Sequence, residues 1–185
     1  MIEANALRKG TTFTDSGDLF KVLDYTHNKT ARGGATIRVK VQNLRSGSIF
    51  EKTYNGGERV QDISLDHNEA EYLYNDGNLY YFMDTRTFEQ PAIQQEMLEE
   101  IIPYLTENMQ VKISSYQGEP LDIQIPITVD LEVIDAEPGF AGDTAQGATK
   151  PVTVTTGLVV QTPLFVNVGD TIRIDTRTGS YITRV

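Results

Sequence analysis

The sequence lacks cysteine and tryptophan and contains only two histidines, His27 and His67. Without cysteine the chain can form neither a disulfide nor a thiolate metal site. Two imidazole groups cannot build a histidine-rich metal centre, so no metal and no cofactor is predicted. The absence of cysteine is typical of proteins from reducing compartments, and we therefore expect a cytoplasmic location.

Long apolar runs are also missing. No stretch approaches the roughly 18 consecutive apolar residues of a membrane span. Residues 1–10 lack the apolar centre of a signal peptide, so neither a leader nor membrane association is expected. The hydrophobic fraction of 39% is still sufficient for packed cores.

Recognisable catalytic motifs are absent from the sequence. There is no Walker lysine loop, no G-x-S-x-G elbow and no H-E-x-x-H pair. The loop over residues 139–147 has spaced glycines, but its strand-like flanks argue against a phosphate cradle. Glu99 and Glu100 are adjacent in a predicted helix and point about 100° apart, which favours a solvated surface over an acid–base pair. No enzymatic activity is predicted.

Basic residues are scarce and unevenly placed, with 16 Lys and Arg against 26 Asp and Glu. Residues 1–64 carry ten basic and seven acidic side chains, or +3, and six of the basic ones lie within residues 21–45. Residues 65–127 carry two against twelve, or −10, and residues 128–185 carry four against seven, or −3. The amino-terminal third is therefore the part best suited to contact nucleic acid.

Short strand-like runs separated by Gly, Asn and Asp predict an all-β chain of three small β-barrels. We place the predicted domains at residues 1–64, 65–127 and 128–185. In the first, apolar residues at 37, 39 and 41 alternate with Arg38 and Lys40, which predicts a strand with one apolar and one basic face.

The middle domain contains the one predicted helix, which is short. Apolar residues recur every fourth position after Pro91, at Ile93, Met97, Ile101 and Leu105. A proline at position 103 should end the regular helix near residue 102.

Two further patterns concern turns and aromatic residues. The sequence Asn75-Asp76-Gly77-Asn78 predicts a hairpin turn. The aromatic residues between positions 72 and 82 are interpreted as core and cross-strand pairs, because a base-stacking platform is unsuited to so acidic a segment. The string Asp-Thr-Arg-Thr occurs at 84–87 and again at 175–178, which suggests that the second and third barrels are similar.

One basic loop between two predicted strands is the candidate functional element. It contains Lys29, Thr30, Ala31, Arg32, Gly33 and Gly34. Its composition leaves two interpretations open: a solvated hairpin end, or an arginine presented to a phosphate-lined pocket, since guanidinium binds phosphate in a fork and stays charged. The second interpretation also places three nearby basic residues along an RNA backbone: Arg38, Lys40 and Arg45.

The whole chain resembles bacterial elongation factor P. The resemblance rests on the tip loop and on the segments 72–77, 82–84, 87–90, 138–152 and 157–169. The most specific is the stretch from Pro138 to Val152, which contains Gly142-Asp143-Thr144-Ala145, followed by the run from Gly157 to Gly169. Thr162 departs from the valine that the family usually has before this proline.

The resemblance implies an L-shaped molecule made of a KOW/SH3-like barrel followed by two OB-fold barrels. It also implies a monomeric, non-enzymatic factor that binds the 70S ribosome between the P and E sites. There it would stabilise the P-site peptidyl-tRNA and stimulate peptide-bond formation, relieving stalling at consecutive prolines.

Carried over by position, Arg32 becomes the tip that faces the peptidyl-tRNA, in the arginine-tip branch of the family. It is also a candidate modification site, which makes a tip-modifying glycosyltransferase a candidate partner. The loop formed by Gly142, Asp143, Thr144 and Ala145 would approach mRNA at the E site, where backbone donors suit it better than basic side chains. Ribosomal RNA is the remaining implied partner.

Two alternative functions remain open from the sequence. The first is the elongation-factor-P-like paralogue, whose tip often reads Thr-Ala-Arg-Gly, as at residues 30–33. The Gly142–Ala145 loop favours the factor itself. The second is a generic single-stranded nucleic-acid-binding OB protein, which predicts a basic, aromatic groove and conflicts with the −10 charge of residues 65–127.

Overall fold

The computed structural model describes residues 1–28, 34–139 and 147–185, and they form β-strands with three short 3-10 turns. The prediction of an all-β fold is confirmed. The first sheet contains β1 (Ile2–Glu3), β2 (Thr12–Asp15), β3 (Asp18–Asn28), β4 (Thr36–Asn43), β5 (Ile49–Asn55) and β6 (Arg59–Asp62). Its strand order is β1-β6-β2-β3-β4-β5.

Two five-stranded sheets follow. The second contains β7 (Asp66–Asn75), β8 (Leu79–Asp84), β9 (Ala92–Gln94), β10 (Gln110–Tyr116) and β11 (Glu119–Gln124), in the order β11-β10-β7-β8-β9. The third contains β12 (Thr128–Ala136), β13 (Thr149–Val154), β14 (Val159–Pro163), β15 (Thr171–Asp175) and β16 (Ser180–Arg184), in the order β14-β13-β12-β15-β16. Within the described ranges, no helix has the length and apolarity needed to cross a membrane.

The chain divides into two compact units. One combines residues Met1–His67 with Ile113–Asp122, and the other combines Asn68–Lys112 with Ile123–Val185. The division cuts through β10 and β11 and so does not test the three predicted domain boundaries, which stay a prediction.

The alternation predicted for β4 is present. Ile37, Val39 and Val41 are fully buried, whereas Arg38 and Lys40 between them are exposed. Because a strand's side chains alternate between faces, a shift of one residue would bury the two charges and expose the apolar residues. Burial of the apolar face therefore fixes the register of the strand.

Lys52 is the centre of a half-buried polar cluster in the first sheet. Its ammonium lies 2.6 Å from Asp15 Oδ2 and 4.5 Å from the centre of the Phe20 ring. The Tyr54 hydroxyl donates to the same Asp15 oxygen at 2.8 Å. The hydrogen bond from Lys52, helped by that from Tyr54, holds the pKa of Asp15 below its ordinary value despite partial burial.

We expect the free energy of unfolding to fall more in acid for the natural chain than for Lys52→Met. The pKa of Asp15 is lower in the folded state, so its contribution is present above the unfolded pKa and is lost as pH falls through the folded one. Since both side chains are partly exposed, the natural chain should lose about 0.5–1 kcal/mol more than Lys52→Met between neutral pH and a pH below the folded-state pKa of Asp15. Urea unfolding across this range measures it, and parallel pH profiles would contradict it.

The hairpin turn between β7 and β8 forms where the sequence predicts it. Asp76 Oδ1 accepts the amide of Leu79 at 2.9 Å, and Gly77 has a φ of +102°. The aromatic residues divide by strand face: three are buried in the core (Tyr72, Tyr80 and Phe82), and two pack as a cross-strand pair on the other face (Tyr74 and Tyr81). The rings of that pair stack with centres 4.6 Å apart, which confirms the core and cross-strand interpretation.

The predicted helix after Pro91 is wrong. The segment forms β9 and then two separate 3-10 turns, Gln95–Met97 and Ile102–Tyr104. The backbone of Ile93 pairs with Tyr80 of β8 instead of starting a helix, and its side chain is buried there. What remains before Pro103 is too short to be a stable helix on its own. The interpretation of Glu96, Glu99 and Glu100 as solvated is confirmed by their exposure.

The two Asp-Thr-Arg-Thr strings fold as the same turn. In each, the aspartate side chain accepts the amide two residues later, at 2.8 Å. The amide four residues later donates to the aspartate carbonyl, from Phe88 to Asp84 at 2.9 Å and from Gly179 to Asp175 at 2.8 Å. Each first threonine hydroxyl also donates to a backbone carbonyl, in β7 at 3.1 Å and just before β12 at 2.9 Å. The repeated string therefore marks a shared structural corner.

Thr162 occupies a fully buried position in β14. Its hydroxyl lies 3.4 Å from the Lys150 carbonyl oxygen and 3.3 Å from that of Pro163. A buried hydroxyl destabilises a core unless it is hydrogen-bonded. These two long contacts explain how threonine is accommodated where the resemblance leads one to expect valine.

Candidate functional site

The β3–β4 hairpin carries the tip loop. The strands pair from Phe20 opposite Asn43 to Asn28 opposite Thr36, with a bulge between Val22 and Asp24. The tip residues Lys29, Thr30, Ala31, Arg32 and Gly33 lie outside the described residues, whereas Gly34 is described and exposed. The hairpin therefore fixes both ends of the segment that contains Arg32.

The last part of β3 extends beyond the core. Leu19, Phe20 and Val22 are buried, whereas all side chains from Asp24 to Asn28 are exposed. Tyr25 packs there between Arg8, whose guanidinium carbon lies 5.1 Å from the ring centre, and His27, whose ring centre is 5.4 Å away. These contacts support the exposed strand without burying it in the core.

The turn after β5 holds the far end of the tip loop. The Gly56 amide donates to the Ala35 carbonyl oxygen at 2.7 Å. A Cβ atom on Gly56 would lie 3.0 Å from that same oxygen, closer than ordinary packing allows. The approach of Ala35 is a contact between residues 21 positions apart, which no local sequence pattern reveals.

Gly56→Ala should displace Ala35 and shift the base of the tip loop. The added methyl group conflicts with a backbone oxygen, so a strand end must move by a few tenths of an ångström and the 2.7 Å hydrogen bond weakens. We expect a loss of about 1–2 kcal/mol in the free energy of unfolding, measured in urea. Gly57→Ala is the matched control because open space surrounds its Cβ position. Equal losses in the two variants would contradict the steric explanation.

Arg38 and Lys40 are brought together on the exposed face of β4. Arg38 pairs loosely with Glu51 of β5, with 3.9 Å between Nε and Oε2, and both side chains are more than half exposed. Lys40 lies directly across from Glu51 in the β4–β5 register. An exposed pair this long contributes little, so both cations stay accessible to a phosphate.

Arg45 is placed differently from these two residues. Its guanidinium contacts both carboxylate oxygens of Glu119, at 3.1 Å and 3.2 Å, and donates to the Gly17 carbonyl at 3.0 Å. The hydrogen bonds and charge of Glu119 raise the pKa of the Arg45 guanidinium. A phosphate would have to compete with this carboxylate, so Arg45 is the least accessible of the three predicted RNA contacts.

The second predicted contact loop lies between β12 and β13. Gly142, Asp143, Thr144 and Ala145 are outside the described residues, but the start of the loop is described. There a Cβ atom on Gly139 would lie 3.1 Å from the Leu164 carbonyl oxygen, so a larger residue would require Leu164 to shift by a few tenths of an ångström. At the other end, the side chain of Lys150 is buried in β13.

Three family models match the chain in succession. The elongation factor P KOW-like domain matches residues 3–60, the elongation factor P OB domain matches 65–123, and the carboxy-terminal elongation factor P model matches 129–184. The first sheet therefore belongs to a KOW-like domain, and an OB domain follows it. Together the matches cover nearly the whole sequence.

Full-length relatives agree with these matches. Elongation factor P of Thermoanaerobacter sp. (strain X514) is 49% identical over 185 residues, and that of Clostridioides difficile (strain 630) is 46% identical, each covering both chains completely. Among solved structures, a translation initiation factor 5A from Methanococcus jannaschii has a TM-score of 0.52 at 19% identity, covering 68% of this chain and 92% of that one. This likeness shows the fold alone. The full-length identity and the three matched domains establish that the chain belongs to the elongation factor P family and is a translation elongation factor.

Proposed function

We propose that this elongation factor binds the 70S ribosome between the P and E sites and stabilises the P-site peptidyl-tRNA. It stimulates peptide-bond formation there and relieves stalling at consecutive prolines. The observation that carries the proposal is the β3–β4 hairpin, which brackets Arg32 and carries the exposed cations Arg38 and Lys40 on its second strand. The exposed cations of β4 therefore lie on the same hairpin whose connecting segment contains Arg32.

Arg32 is proposed as the residue that reaches the peptidyl-tRNA, which places this chain in the arginine-tip branch of the family. A guanidinium stays charged at all physiological pH values and offers five donors in a fixed fork. It can hold the terminal phosphates and riboses of a tRNA in one orientation. The chain then acts by positioning, because a correctly oriented acyl donor and acceptor react far faster than mobile ones.

The remaining proposed partners are those that the rest of the chain would meet if Arg32 faces the peptidyl-tRNA. Arg38, Lys40 and, in competition with Glu119, Arg45 contact ribosomal RNA or the tRNA backbone, while the Gly142–Ala145 loop approaches mRNA at the E site. These partners imply a monomeric factor that acts in the cytoplasm. A tip-modifying glycosyltransferase is the proposed partner for Arg32 itself, and intact mass of the protein from its native host decides whether the tip is modified.

A reconstituted translation system without its own elongation factor P tests the proposal. The messenger carries three consecutive proline codons ahead of a reporter, and a matched messenger carries alanine codons. The added protein should restore the proline reporter several-fold and leave the alanine reporter unchanged, since positioning matters most for a poor peptidyl acceptor such as proline. No difference between the two messengers would exclude relief of proline stalling.

Salt dependence tests the RNA-backbone part of the proposal separately. If Arg38 and Lys40 neutralise phosphates, ribosome affinity should fall steeply as salt rises, because each contact releases a counterion. Arg38→Ala should reduce the slope of log affinity against log salt by roughly one. Binding that is insensitive to salt would exclude a phosphate-dominated contact.

A further inference from the structure

The turn after β5 contains a chemically reactive dipeptide. Asn55-Gly56 is the only Asn-Gly pair in the sequence, and Asn55 is the last residue of β5. In such a pair the glycine nitrogen can attack the side-chain carbonyl carbon of asparagine, because glycine has no Cβ atom to obstruct the approach. The other reactant is water, which reaches Asn55 because this residue is exposed.

Hydrogen bonds hold both reacting groups in the folded chain. The Gly56 amide, which contains the attacking nitrogen, donates to the Ala35 carbonyl oxygen at 2.7 Å. The side-chain amide of Asn55 donates to Glu58 Oε1 at 3.2 Å, and its backbone amide donates to Glu58 Oε2 at 3.1 Å. The two groups that must meet are therefore bound to different partners, Ala35 and Glu58.

We propose that Asn55 is a spontaneous deamidation site whose reaction is controlled by the hydrogen bond between Gly56 and Ala35. When this bond opens, the Gly56 nitrogen gives its proton to solvent and bonds to Cγ of Asn55, and the side-chain nitrogen leaves as ammonia. Water then opens the five-membered ring to aspartate or isoaspartate. Nothing is oxidised or reduced and only water is consumed, so the reaction does not depend on the proposed function.

The product should weaken the turn that held the reactants. Deamidation replaces the Asn55 donor by a carboxylate, which would then face the Glu58 carboxylate where a 3.2 Å hydrogen bond now lies. The hydrogen bond is lost and the like charges repel each other. Because this turn presents the Gly56 amide to Ala35, deamidation should irreversibly weaken the support of the far end of the tip loop.

Incubation of the full chain at mildly alkaline pH, followed by peptide mass mapping of position 55, measures the reaction. The folded chain should react at least about tenfold more slowly than the chain unfolded in urea, because only the open fraction reacts. Glu58→Ala frees the Asn55 side chain and should accelerate the folded-state reaction by about threefold or more. Glu51→Ala is the matched control, since it removes another exposed glutamate close in sequence and should leave the rate unchanged.

Asn55→Asp reproduces the aspartate product directly. It should lower Tm by roughly 2–4 °C, because it places a carboxylate beside Glu58. Gln61→Glu makes the same change of amide to carboxylate at an exposed position of β6 and should shift Tm by less than about 1 °C.

The opposite results overturn defined parts of the inference. Equal rates in the folded and unfolded chains would mean that the Ala35 hydrogen bond does not control the reaction. If the folded chain stays unmodified after the unfolded chain has been fully converted, Asn55 is not a deamidation site. A rate for Glu58→Ala no higher than that of the natural chain would exclude a protective role for Glu58, and an Asn55→Asp variant of unchanged Tm would exclude the weakening of the turn.

Discussion

Replacing Arg32 with alanine should abolish the relief of proline stalling while leaving thermal stability almost unchanged. The guanidinium is the proposed contact with the peptidyl-tRNA, and losing the contact that orients a reacting group costs roughly 10- to 100-fold in rate. The sequence from Lys29 to Gly34 is polar and glycine-rich rather than core-forming, so we expect Tm to shift by less than about 2 °C. The three-proline reporter and calorimetry measure the two effects.

The control for Arg32→Ala is Arg59→Ala. Arg59 is an exposed arginine of β6 in the same unit, and its replacement removes the same charge. It should retain nearly full rescue, because its side chain belongs neither to the hairpin nor to the basic face of β4. Full rescue by Arg32→Ala, or equal loss in the two variants, would show that the tip has no specific role.

Phe13→Ala should cause the largest loss of stability. Phe13 is fully buried in the core of the first sheet, with its ring centre 5.6 Å from that of Phe20 and 6.2 Å from that of Tyr54. Truncation removes the buried ring and leaves a cavity that the strands can fill only in part, at a cost of about 3–5 kcal/mol. Urea unfolding of the full chain should show this as a lower midpoint.

The control for Phe13→Ala is Phe50→Ala. The Phe50 ring also meets that of Phe20, with centres 5.7 Å apart, but its side chain is 42% exposed. Its loss should cost about 1 kcal/mol, because much of the ring is already in water. If Phe13→Ala lowered the free energy of unfolding by less than the roughly 1 kcal/mol expected for Phe50→Ala, the core would have to repack around the missing ring.

Local patterns predicted the strands and turns well where one short-range rule applies. The alternation around Arg38 and Lys40 gave both faces of β4, and Asp76-Gly77 gave the β7–β8 turn. The repeated Asp-Thr-Arg-Thr string forms the same turn at both places because the aspartate side chain accepts an amide two residues later, while the predicted similarity of the second and third barrels stays a prediction. In each case the residues that decide the conformation are neighbours in sequence.

The segment after Pro91 shows where such rules fail. Its four-residue spacing satisfies the helical pattern, yet pairing with β8 determines its backbone instead. Helical periodicity describes only which side chains can share a face, and a free sheet edge offers backbone hydrogen bonds that a short helix cannot match. Nothing within residues 91–103 reveals that the edge of β8 is available.

For the site, the sequence by itself determined the basic face of β4, because that face depends on residue type and period-two alternation; Arg32 as the tip residue stays a prediction from the family resemblance. Only the tertiary structure decided that the Gly56 amide donates to the Ala35 carbonyl and that Arg45 pairs with Glu119. It also decided that Phe88 adopts a positive φ, which is strained for phenylalanine but not for Gly179 at the equivalent position. Gly56 and Ala35 are 21 positions apart in the sequence, and Arg45 and Glu119 are 74 positions apart. Such contacts depend on which strands become neighbours, and that is settled by burial of the whole core rather than by any local pattern.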